Sequence, residues 1–176
     1  MTLDEAQQEI ARAHVGGGPG AIVSGFVWLA AGLVLQRQGF GPGFTALFFG
    51  GMLIFPIATL TSRLLFRRGA ESAGNRLGRT ALESTIAMIG GFVASWLFLP
   101  VRPDYVFPLA AIAVGTHYFA FRTVYGDALY WVLGGLITAA GLASIWETAL
   151  PSGGVIFAVA AIEIIFGFVL TWRATR

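Results

Sequence analysis

Six long apolar stretches alternate with polar breaks along the chain, at about 19–36, 43–65, 81–99, 105–122, 128–146 and 153–172. A helix rises roughly 1.5 Å per residue and needs about 20 residues to cross a ~30 Å hydrocarbon core, so each stretch predicts one crossing. The expected fold is an all-α integral membrane protein with six transmembrane helices. Turn chemistry fills the short breaks: "QRQGFGPG", "LPVRPD", "RTVYGD" and "ETALPSGG". The break after the second stretch is longer and reads "RLLFRRGAESAGNRLGRT". Ahead of the first stretch, "TLDEAQQEIARAH" carries Thr2 and Glu5 at capping-box spacing, and "GGGPG" follows it. Residues 1–18 therefore read as a short cytoplasmic helix with a Gly-rich linker, and 19–176 as the membrane domain. The N-terminus has neither the basic start nor the cleavage site of a signal peptide, so the first span is expected to stay in the mature protein. Pro56 and Pro108 fall inside the second and fourth stretches, where a missing N–H kinks a helix or opens a polar pocket. The glycine pairs Gly50–Gly51, Gly90–Gly91 and Gly134–Gly135 permit close helix approach, within a compact bundle or at a homo-oligomer interface.

Composition supports a membrane class: 56% of the 176 residues are hydrophobic and only 11% charged. No cysteine is present, which excludes disulfides, thiolate metal sites and cysteine nucleophiles; no cofactor or metal is expected. The basic charge rests on eleven arginines with no lysine, which fits a GC-rich prokaryotic coding bias. A net charge of +2 suggests no nucleic-acid partner. The distribution of the arginines matters more than their sum. Arg12, Arg63, Arg67, Arg68, Arg76, Arg79, Arg122, Arg173 and Arg176 fall on one side of the predicted topology, against Arg37 and Arg102 on the other. The positive-inside rule then places both termini in the cytoplasm of a bacterial inner membrane. Tyr105, Trp96 and Trp146 fall near the outer interface, and Tyr125, Tyr130, Trp131 and Trp172 near the inner one, as an aromatic belt requires.

A weak internal repeat runs through the same pattern. "IVSGFVWLAAGLVL", "MIGGFVASWLFLP" and "VLGGLITAAGLAS" open the odd-numbered spans, and the even-numbered ones close at "TSRLL", "AFRTV" and "TWRAT". Three helical hairpins in pseudo-repeat would account for this, as would compositional likeness of Gly-rich apolar helices alone. "FPIATLTSRLL", "NRLGRTALESTIAM" and "AVGTHYFAFRTVYGDALYW" together resemble a bacterial family of small multi-span proteins that carries a domain-of-unknown-function label. The resemblance covers most of residues 15–140 and implies a membrane location without an activity. The hairpin pattern is also loosely similar to the acid-resistance membrane proteins of enteric bacteria, mainly through Gly and Leu spacing.

Few polar groups interrupt the spans. Glu163, in "AIEIIFG", falls near the middle of the last one. A carboxylate facing lipid there costs about 3 kcal/mol on insertion scales, so Glu163 is expected to point inward, toward Ser24, Thr138 and Ser144. It reads either as a proton or cation site or as a neutral acid that fixes helix packing. Glu83 and His117 reach similar depth on spans three and four. They are expected to pair, as a structural contact or as part of an ion path with Thr116, Ser84 and Thr85. Arg63, Arg122 and Arg173 end the even-numbered spans, and with Arg67 and Arg68 they read as a basic rim for anions or as anchors on lipid phosphates. "HExxH" and "GxSxG" do not occur. The leading functional expectation is a transporter or channel for a small solute or ion; the alternatives are a membrane scaffold or regulator and, third, a membrane-embedded enzyme. Membrane lipids are the expected partners.

Overall fold

The computed structural model describes residues 1–146, 151 and 153–176. Most of the turn expected at "ETALPSGG" lies outside the described residues. These form eight α-helices and no strand: α1 (Leu3–Ala13), α2 (Gly18–Gln38), α3 (Phe40–Gly51), α4 (Ile54–Leu64), α5 (Leu77–Leu97), α6 (Val106–Tyr125), α7 (Leu129–Ile145) and α8 (Gly154–Thr175). A helix or helix pair thus covers each of the six apolar stretches. Three helices, α2 (with the turn before it), α5 and α8, are long and apolar enough to cross a membrane, and α3 with α4 makes a fourth when the bent pair counts as one span.

Local chemistry explains the boundaries. The capping box of α1 is formed: the Thr2 N–H donates to Glu5 Oε2 (2.7 Å) and the Glu5 N–H to Thr2 Oγ1 (3.3 Å). After His14 the chain passes through a 3₁₀ turn, Val15–Gly17, whose Gly16 (φ 61°) and Gly17 (φ 76°) occupy the left-handed region that favours glycine. The second stretch, expected as one helix, breaks at Met52–Leu53 with a bend of 41°. Pro56 supplies the reason: it has no N–H for the carbonyl four residues earlier, that of Met52, and its ring crowds that group. Pro108 behaves differently from the expected mid-span kink. It lies in the first turn of α6, where the N–H has no helical partner in any case.

Two groups of helices make the bundle. α8 and α3–α4 pack on α2, while α5 and α7 pack on α6; contacts of α8 with α7 and α6 join the groups. The closest pairs are α2 with α8 and α6 with α7, so packing does not follow three equal hairpins. Both close pairs rest on small residues seven apart. Gly18, Gly25 and Gly32 of α2 meet α8 around Gly167, Ala160 and Ile156, and Gly134 and Gly141 of α7 meet Gly115 and Pro108 of α6. Of the three glycine doublets, one member of each touches a neighbouring helix (Gly50 on Val27, Gly91 on Ala113, Gly134 on Gly115) and the other faces open space. The core between the groups is filled by Trp28, Phe44, Phe107, Leu133, Ile137, Ile156 and Val159. Phe26, Leu33, Phe55, Leu60, Leu82, Ile86 and Phe168 are exposed on the outside.

Candidate functional site

Glu163 of α8 is fully buried. The partner is a residue that the pattern of spans did not single out: Tyr118 of α6, whose hydroxyl donates to Glu163 Oε1 at 2.8 Å. The other carboxyl oxygen, Oε2, is buried with no hydrogen-bond partner among the described residues. The Ser24 hydroxyl of α2 lies close to both the carboxyl and the Tyr118 hydroxyl, without the geometry of a full hydrogen bond to Oε2. Three helices thus supply one polar cluster inside an apolar core. Thr138 and Ser144, expected as further partners, have buried hydroxyls that bond neither to Glu163 nor to any other group among the described residues. Thr138 packs against Gly115 instead.

From this cluster an aromatic column runs to the N-terminal turn. The Tyr118 ring stacks on Tyr130 (6.0 Å between centroids) and Tyr130 on Tyr125 (5.2 Å), with Phe121 meeting all three edge-on. The Tyr130 hydroxyl donates to the carbonyl of Gly16 at 2.6 Å. A side chain at Gly17 would collide with Tyr130 and Tyr125, so the glycine turn and the tyrosines fit only together. Helix α1 is tied down beside them: Gln7 Nε2 donates to the Thr123 carbonyl (2.7 Å), and His14 Nε2 meets Glu71 Oε2 (3.0 Å). Glu9 accepts from Asn75 Nδ2, the Ser72 N–H and the Ser72 hydroxyl. Those hydrogen bonds, that of Asn75 first, hold its carboxyl below the usual carboxylate range.

His117 is one residue from Tyr118, about 100° round the helix, and so faces α5 instead of the core. Its Nδ1 shares a 2.8 Å hydrogen bond with Ser84 Oγ, and Phe121 packs against the ring at 4.4 Å. The expected pairing of His117 with Glu83 is therefore corrected. Ser84 occupies that place, and Glu83, one residue back on α5, is turned outward and exposed. Thr116 is exposed too, its hydroxyl bonded back to the Ile112 and Ala113 carbonyls of its own helix. Ser84→Ala should cost about 1 kcal/mol in thermal or denaturant unfolding, the usual worth of one such bond. No change would show that the contact does not hold α5 to α6.

The arginines are spread over the ends of α4, α5, α6 and α8. Arg63, Arg67, Arg122 and Arg173 are exposed and Arg68 is half-buried. Arg173 pairs with Asp127 at 3.4 Å, beside an open depression lined by Tyr125, Gly126, Asp127, Ala128, Leu129, Val132 and Arg173. At the other end of the bundle Arg102 bonds to Asp104 (2.8 Å), which lowers the Asp104 carboxyl's proton affinity, and lies over the Tyr105 ring at 3.9 Å.

The fold and this site define an all-helical protein with several membrane-length apolar helices and an isolated acid in its core. Within that class the chain belongs to DUF7010, a family of unknown function, whose model matches residues 3–173. No curated protein and no solved structure matches the chain.

Proposed function

We propose that the chain is a six-span inner-membrane protein, with both termini cytoplasmic, that transports a small solute or ion, and that Glu163 is its proton-binding group. The observation that carries this reading is the fully buried carboxyl of Glu163, with one oxygen hydrogen-bonded to Tyr118 and the other unbonded among the described residues. An ionisable group in the middle of an apolar helix is costly and marks an ion or proton path far more often than a surface acid does. The apolar exposed faces and the imbalance of arginines support the membrane and its orientation. A second reading, a membrane scaffold, is favoured by the glycine-mediated contacts of α2 with α8 and α6 with α7, which make a closely packed body.

Vesicles reconstituted with the full chain discriminate the two. Under an imposed pH gradient, wild-type vesicles should take up sodium, potassium or chloride faster than protein-free vesicles. Glu163→Gln, which keeps an acceptor for Tyr118 and removes titration, should lower that flux about tenfold or more, the scale of losing an essential proton carrier. Equal fluxes from wild-type and Glu163→Gln vesicles, both above the protein-free level, would remove Glu163 from the mechanism, and wild-type flux no faster than that of protein-free vesicles would leave the scaffold reading.

A further inference from the structure

The segment joining α4 to α5, with the helix turns on either side of it, holds arginines that no described acid neutralises. Arg63, Arg67, Arg68, Arg76 and Arg79 form no ion pair among the described residues. Glu71, the acid within the segment, is engaged by His14, and the nearby Glu9 by Ser72 and Asn75. The segment is also held in place. The Arg68 N–H donates to the Ser62 carbonyl, Asn75 Nδ2 to the Ala6 carbonyl, and the Leu77 N–H to Asn75 Oδ1 at the start of α5. Arg67 adopts a left-handed conformation (φ 54°), uncommon for a residue with a side chain, at the turn that leads into Arg68. Arg68 Nε is buried without an acceptor among the described residues, although a guanidinium is a donor with no other role in hydrogen bonding.

What flanks these arginines identifies the kind of anion. Leu64 and Leu65, just before them, are 71% and 72% exposed, and Leu82 and Ile86, just after, are both 59% exposed. α4 packs on α2 and α5 on α6, with little contact between α4 and α5 themselves. A fixed basic segment thus lies between the ends of two helices whose outer faces are apolar, the arrangement that suits a molecule with a phosphate head and hydrocarbon tails.

We propose that the α4–α5 segment binds an anionic phospholipid, its phosphate held by Arg67, Arg68, Arg76 and Arg79 and its acyl chains lying on the outer faces of α4 and α5. This goes beyond the transport reading and needs only that the chain sits in a membrane. The test uses the delipidated full chain in a neutral detergent, with thermal unfolding followed as lipid is added. Dioleoylphosphatidylglycerol should raise the unfolding temperature and dioleoylphosphatidylcholine should not, since a ligand that binds only the folded chain stabilises it by mass action. Arg68→Gln should weaken the phosphatidylglycerol response about tenfold, the loss expected for one charged hydrogen bond. Arg67→Gln with Arg79→Gln, both at exposed positions, should do the same without disturbing the fold, and Arg37→Gln, at the opposite end of the bundle, should not. Equal stabilisation by phosphatidylcholine overturns the proposal, as does full stabilisation by inorganic phosphate alone, which would mean a free-anion site. An unchanged response of the exposed double variant overturns it as well, whether or not Arg68→Gln folds. Flux plays no part in this measurement, so the lipid site and the role of Glu163 fail independently.

Discussion

Gly25→Ala is expected to destabilise the protein by roughly 2–3 kcal/mol, and Gly25→Leu to prevent the native packing of α2 on α8 altogether. A methyl group built on Gly25 would lie 2.8 Å from the Ala160 carbonyl oxygen and 3.0 Å from the Ile164 nitrogen, both backbone atoms that can retreat only if the helices part. Gly115 on the other close pair is equivalent, with the Thr138 nitrogen at 2.6 Å and the Gly134 carbonyl at 2.8 Å. Intrinsic propensity works in the opposite direction, since alanine favours a helix over glycine by about 1 kcal/mol, so steric overlap must exceed that gain for the loss to appear. Gly51, Gly90 and Gly135 provide the comparison, because nothing lies within 4 Å of an added methyl at any of them. Gly90→Ala and Gly135→Ala should be neutral or stabilising by about 0.5–1 kcal/mol. Unfolding of the detergent-solubilised variants reads both sets. If Gly25→Ala and Gly90→Ala proved equally stable, the close approach of α2 and α8 would be wrong.

That contrast also shows which part of the packing the sequence discloses. Adjacent glycines draw the eye, yet two neighbours on a helix point about 100° apart, so at most one can serve a given interface. The recurrence that matters is seven residues, Gly18, Gly25 and Gly32 against Ala160 and Gly167. Seven residues return a helix nearly to the same face, and the period is legible in the chain. Pro56 likewise announces the α3–α4 break, once the break is placed four residues before it. The errors concern direction around a helix axis. Counting residues from a span end fixes depth, and depth put Glu83 level with His117 correctly enough to find the right turn of α5. Depth says nothing of azimuth, and Ser84 rather than Glu83 faces the histidine. Tyr118 escaped for a different reason: its partner lies 45 residues away, across helices whose adjacency no local pattern fixes. A general signal did exist, because a tyrosine in the middle of an apolar helix brings a hydroxyl that needs a partner.

The pair formed by that hydroxyl and Glu163 should show strong coupling. Tyr118→Phe removes the 2.8 Å hydrogen bond to the carboxyl and leaves a buried acid without it, at a cost of about 1–3 kcal/mol. Glu163→Leu removes the acceptor and leaves the tyrosine hydroxyl in the core without its 2.8 Å bond, at a similar cost. Changing both replaces two polar partners with apolar groups of comparable size, which is close to neutral in well-packed sites. The two single losses should therefore fail to add by on the order of 2 kcal/mol in unfolding of the four proteins of the cycle. Additive losses would mean that the 2.8 Å contact is not energetically real. Glu163→Gln completes the argument, because its amide oxygen still accepts from Tyr118 while the group no longer titrates. Its stability should match the wild type more closely than that of either single variant of the cycle. A flux defect in Glu163→Gln then reports on proton binding and not on packing, whereas a flux defect confined to Tyr118→Phe and Glu163→Leu would follow the lost stability and make the pair a structural clasp between α6 and α8.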